Sequence, residues 1–169
     1  KQMKEVGGRA SETARRARGL RPDDIFGFVE SLSQLRKVRG EVIALRDLRY
    51  HDEARIAALE EDVVDTSERV SGDCVAFLLG EKALNPYRDR IAEQSEKVEK
   101  VGKVAEANEV AEELDKAGAE LEMLIDIVGN LRIEDATQTT QIIDDISSIY
   151  STLNAVRASL KNRRLALAK

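Results

Sequence analysis

Three stretches of this chain repeat apolar residues at alternating steps of three and four. The longest runs Ile142, Ile146, Ile149, Leu153, Val156, Leu160 and on to Leu167, with Arg163 the only break. A second runs Val110, Leu114, Ala117, Leu121, Leu124, Val128, and a third Ile56, Leu59, Val63, Thr66, Val70, Cys74, Phe77. A mean step of 3.5 puts each set on one narrow stripe of an α-helix, and such a stripe is hidden by lying against another helix. The pattern predicts an all-α protein, an elongated antiparallel helical-hairpin bundle packed in the manner of a coiled coil.

Composition supports slender packing. Aromatic residues make up 4% of the 169-residue chain and Trp is absent, so little core area comes from large rings. Pro22 and Pro86 are the only prolines, which permits long uninterrupted helices. A single cysteine, Cys74, excludes an internal disulfide and suits a reducing, cytoplasmic setting. The longest apolar run, Val75 to Leu79, falls far short of the ~20 residues a membrane-spanning helix needs. The first residue is Lys1 rather than Met, as expected of a piece taken from something larger.

Punctuation residues divide the chain. Residues 1–21, with Gly7, Gly8 and Gly19 among Arg and Ala, read as a basic, weakly structured arm, frayed or weakly helical, and residues 22–169 as the helical bundle. Within the bundle, helices are expected over about 22–39, 47–80, 86–101, 108–128 and 135–168. Pro22 with Asp23 and Asp24 opens the first. Residues 41–48 read as an extended connector or as the first turns of the next helix, and the period does not decide. Gly80 is a stop signal, and Asn85-Pro86 a restart with Asn85 as N-cap. The phase of Ile91, Gln94 and Val98 does not continue into Val110 and Leu114, which predicts a break near 102–108. Gly129-Asn130 signals a helix end, and Asp135 with Gln138 resembles a capping box. Short connections between long helices make neighbours antiparallel.

Charge is unevenly spread. Residues 1–21 sum to +5 and residues 136–169 to +3, leaving −13 on the residues between, within a total of −5. Basic ends of this kind are candidate polyanion contacts, with Arg15, Arg16 and Arg18 in the arm and Arg157, Lys161 and Arg164 on one face of the last helix. The competing reading of the second cluster is that cations oppose the helix dipole at a C-terminus. The acidic middle opposes DNA, and no aromatic lies near these residues for a base to stack on, so DNA binding is expected to be weak at most.

Signs of catalysis are missing. Gly102-Lys103 is followed by Val104, and Lys97 stands where a phosphate-binding loop has its first glycine. His51 has no second histidine to share a metal with and reads as a solvated or capping side chain. Cys74 lies on an apolar stripe and reads as a small buried hydrophobe. The pairs Glu134-Asp135 and Asp144-Asp145 are adjacent in helical sequence, so their carboxylates diverge by about 100° rather than converging on a substrate. No catalytic, cofactor-binding or metal-binding residue is assigned.

Residues 121–164, reading Leu-Glu-Met-Leu-Ile-Asp-Ile-Val-Gly-Asn-Leu-Arg-Ile-Glu-Asp-Ala at their start, carry a resemblance that extends to Leu45-Arg46-Asp47-Leu48-Arg49-Tyr50. This region resembles the helical part of very large bacterial proteins described as DNA-repair ATPases. The resemblance implies an AAA-type module, with ATP and Mg²⁺, elsewhere in a parent chain, and transfers no ATPase residue to this segment. The expectation is a non-catalytic coiled-coil spacer or interaction segment contacting other parts of the parent, a separate protein or a second copy of itself. The alternatives are a stand-alone helical adaptor and a nucleic-acid-binding arm.

Overall fold

The stripes become helices that hide them against one another. A computed structural model of the chain describes residues 2–20, 22–48, 51–80, 82–130 and 136–167. Of the described residues, 90% are helical. The α-helices are α1 (Gln2–Gly19), α2 (Ile25–Ala44), α3 (Glu53–Leu78), α4 (Asn85–Lys100), α5 (Val104–Asn130) and α6 (Ala136–Leu167), with a 3-10 turn over Leu45–Asp47. No strand occurs among the described residues, and none of the helices is long and apolar enough to cross a membrane. The chain divides into two units, Lys1–Phe77 and Leu78–Lys169.

In the first unit, the arm is the 18-residue helix α1. Val6, Ala10, Ala14 and Ala17 are buried and recur at steps of four and three. Their small side chains let a neighbour approach closely. Gly7 lies opposite α3, where a Cβ would stand 3.1 Å from Arg55 Nη2 and 3.4 Å from Leu59 Cδ1. Arg9 bonds Glu41 of α2 at 2.7 Å, while Arg18 bonds Asp62 of α3 at 2.7 Å. Helices α2 and α3 meet through Arg39 with Glu60 and through the tilted Phe28 and Phe77 rings, 5.3 Å apart. The order of these pairs makes α2 antiparallel to both α1 and α3. Arg46, just past α2, holds Glu53 and Glu60 of α3, which raise its pKa.

Local signals act with small shifts of boundary. Asp24, not Pro22, caps α2: its Oδ1 accepts from Gly27 N at 3.0 Å. A Cβ on Gly27 would stand 2.9 Å from Pro22 Cβ, so the turn requires glycine there. Helix α2 runs through Val42 to Ala44, which rules out an extended connector over that stretch. Asp52 opens α3 by accepting from Arg55 N at 3.2 Å. Leu84, not Asn85, is the N-cap of α4; Asn85 is already helical and Pro86 lies in its first turn. Gly80 follows the end of α3, and α5 continues through Gly129 and Asn130. The expected break near 102–108 falls at 101–103, between α4 and α5. The proposed Asp135 capping box and the Leu131–Glu134 connection, with Glu134-Asp135, lie outside the described residues.

The second unit packs α4, α5 and α6 side by side. Glu122 meets Tyr150, Asp115 meets Arg157 and Asn108 meets Arg164, so α5 and α6 run in opposite directions. Arg90 of α4 pairs with Glu120 of α5. Helix α6, at 32 residues, buries Ile142, Ile146, Ile149, Leu153, Val156 and Leu160. Leu121, Leu124 and Val128 of α5 are fully enclosed. Truncating Leu124 or Ile149 to Ala removes buried methyl groups from this layer and is expected to cost about 2–5 kcal/mol. Chemical denaturation of the two variants checks this, and losses under about 0.5 kcal/mol at both sites would contradict the packing, since surface changes cost no more.

Candidate interaction groove on the second unit

The side chains that gather at the α5–α6 seam are those of the predicted basic face. Arg157, one turn beyond Leu153, faces a helix position that has no side chain. At Gly118 a Cβ would come within 2.7 Å of Arg157 Nη2 and 3.2 Å of Leu153 Cδ2. Glycine inside a helix costs about 1 kcal/mol relative to Ala. Here it opens the path by which Nη2 donates to the Leu114 carbonyl at 3.5 Å and to Asp115 Oδ1 at 3.2 Å. Nη1 donates to Asn154 Oδ1 at 3.2 Å. The guanidinium also sits 5.9 Å from the Tyr150 ring centre, and the Tyr150 hydroxyl donates to Glu122 at 2.8 Å. Arg157 Nε is buried and has no acceptor among the described residues. Arg157 is therefore a strut between α6 and α5 as well as a surface cation.

Lys161 and Arg164 continue the same face and line a groove of about 520 Å³ with Arg157 and Asp115. Arg164 donates to Asn108 Oδ1 at 3.0 Å. Lys161 enters no ion pair among the described residues. Ala111, Leu160 and Leu165 supply the apolar surface, and Leu165 is 57% exposed. Three cations and one carboxylate thus surround an apolar floor.

The N-terminal arginines are differently placed. Arg15 and Arg16 share Glu12, whose carboxyl is held below its ordinary pKa chiefly by the Arg15 hydrogen bond. Arg18 bonds Asp62 and Thr66. These three lie in the first unit, whereas Arg157, Lys161 and Arg164 lie in the second. Sequence reasoning grouped them by charge alone, without their carboxylate partners.

Other reactive side chains have structural roles. His51 Nδ1 donates to the Leu48 carbonyl at 2.7 Å and Nε2 faces Glu53 at 3.2 Å, the capping role expected of it. Burial pushes the Cys74 thiol up to about 12, which suppresses the nucleophilic thiolate. No cluster of three metal-ligating side chains occurs among the described residues. Asp145 accepts from Gln141, one turn earlier on α6. Sequence reasoning passed over Glu120. Burial, the largest cause, raises its pKa, while Arg90, Lys116 and the Tyr87 hydroxyl favour its charged form.

Two expectations follow from this geometry. Arg157→Ala is expected to cost about 1 kcal/mol in the native background, the usual worth of such hydrogen bonds, and less when Gly118→Ala already blocks the path. A double-mutant cycle by denaturation measures the coupling, and purely additive losses would show that Gly118 does not position Arg157. For Glu120, a folded-state pKa above the ordinary value means that the folded form binds the proton more tightly. Its contribution to stability is therefore full below the ordinary glutamate range and is lost as pH rises through the elevated folded value. Glu120→Gln should remove that component, so the stability difference between variant and native protein grows in the variant's favour as pH rises across this window. Equal pH profiles for the two would contradict the assignment.

No curated protein and no solved structure matches the chain. A family described as a domain of unknown function, DUF7902, matches residues 82–166, half of the chain, and takes in α4, α5 and nearly all of α6. The groove and its three cations lie within that match, and the chain belongs to the DUF7902 family.

Proposed function

We propose that this chain is a non-catalytic helical spacer and interaction segment of a larger ATPase of the DNA-repair-like kind its sequence resembles. In this reading α5 and α6 work as a coiled-coil-like antiparallel hairpin. Such a hairpin holds attached modules at a set distance and offers its surface to the parent's other domains or to a protein partner. The observation that carries the reading is the use of apolar residues. In the second unit the stripes of α4, α5 and α6 are turned toward one another, and α5 otherwise carries eight acidic residues and one lysine. What remains for recognition is the charged outer surface and the groove beside Lys161. ATP and Mg²⁺ belong to the parent's nucleotide module rather than to this segment, and the segment has no enzymatic role of its own.

The ion pairs of Arg15, Arg16 and Arg18 count against the N-terminal helix as a nucleic-acid arm, because their charge is already partly matched. The test of the main reading joins two measurements. The complete reading frame is expected to encode a phosphate-binding Gly-x₄-Gly-Lys-Ser/Thr loop outside this segment, and titration calorimetry of the purified segment is expected to register no ATP binding. A complete frame without such a loop, or stoichiometric ATP binding by the segment, would overturn the proposal.

A further inference from the structure

We propose that the groove between α5 and the C-terminal half of α6 docks an acidic helical protein segment anchored by aliphatic side chains. This deepens the interaction reading above and rests on it. Arg157, Lys161 and Arg164 follow one another at steps of four and three along α6, spanning about 10 Å at 1.5 Å per residue. Carboxylates at the same steps on a docked helix would meet them in register. Leu165 and Ala111 lie beside the cations, over a floor closed by the buried Leu160, and offer an apolar surface to leucines on the same helix. Val104, 52% exposed, opens α5 at the end of the pair where α6 closes, so apolar surface persists there.

Charge selects the partner's sign. Within the groove three cations face the single Asp115 carboxylate, and Lys161 has no internal counter-ion among the described residues. Arg157 spends two of its nitrogens on internal acceptors, and the third has none. An acidic segment completes this local excess of positive charge, and complementarity of this sort sets specificity and encounter rate. Nucleic acid fits less well. Phosphates make no use of an apolar floor, and no aromatic side chain lines the groove for a base to stack on.

Fluorescence anisotropy of the full chain provides the test. The probe is a labelled helical peptide of Ala, Leu and Glu, with Leu at steps of three and four and Glu flanking them. Its expected Kd is on the order of 10–100 µM at ~0.15 M salt, as for a small transient contact. The same peptide with every Glu changed to Gln should bind at least about tenfold more weakly, and so should the Lys161→Glu, Leu165→Ser double variant with the original peptide. Both altered residues are exposed, so the variant should keep the native helical circular dichroism and melting temperature. Amide chemical-shift changes should centre on residues 157–165. The proposal is overturned by absence of binding at about 1 mM peptide, by equal affinity for the Gln peptide, by an unaffected folded variant, or by tighter binding of a 20-base-pair duplex than of the acidic peptide at that salt. None of these outcomes bears on whether the parent frame encodes a nucleotide-binding loop, so the two readings fail separately.

Discussion

A helix with one apolar stripe must keep that stripe out of water along its whole length, and among the described residues the elements that cover it are other helices. The 32-residue α6 sets this requirement most strictly. Each fully buried aliphatic side chain contributes about 1.5–3 kcal/mol, against about 1–2 kcal/mol of backbone entropy for every residue ordered. With few aromatic rings, each layer of the second unit contributes little area, so stability has to accumulate over many layers. Ala107, Ala117 and Gly118 on α5 are buried and small, which brings the backbones of α5 and α6 close enough for Leu114, Leu121 and Leu124 to be fully enclosed.

The long stripes were legible because leucine, isoleucine and valine carry a strong hydropathy signal at a helical period. The stripe of α1 was not, because it is written in alanine. Val6, Ala10, Ala14 and Ala17 keep the same spacing as the longer stripes, yet alanine is neither strongly apolar nor rare, and Gly7 and Gly8 suggested fraying. Glycine at Gly7 and Gly118 serves close approach of a neighbouring side chain, a role visible only once the neighbour is in place. Gly129-Asn130 misled for a related reason: a stop signal lowers helix propensity by about 1 kcal/mol, which burial of Ile127 and Val128 just before it outweighs. Asn85 lost the N-cap position to Leu84, whose preceding turn over 82–84 already directs the chain into α4.

The basic face of α6 was legible as charge but not as architecture. Its spacing placed Arg157, Lys161 and Arg164 together, and the groove gathers the same three. What spacing could not give is their division of labour. Arg157 reaches across Gly118 to an α5 carbonyl, Arg164 reaches the neutral Asn108, and Lys161 has neither a hydrogen-bond nor an ion-pair partner among the described residues. The N-terminal arginines, grouped with them by charge, pair with Glu12 and Asp62, near neighbours in space that a charge count leaves out.

The groove lies where the packing requirement on α6 lapses. Up to Leu160 every step of the stripe is filled by an aliphatic side chain that is buried. At the next step stands Arg163, whose Nε donates to the Val101 carbonyl at 3.0 Å, at the C-cap of α4. A cation that satisfies a terminal carbonyl and opposes the helix dipole replaces the apolar contact that the period called for. From there to the end of α6 the helix is supported by polar reach rather than by an enclosed core, and residues 161–166 are exposed. Side chains in such a stretch are released from the volume constraints that govern Leu153 or Leu124. A lysine without a counter-ion and a leucine facing solvent can persist there at little cost to the fold, and these are the two side chains on which recognition at this groove depends.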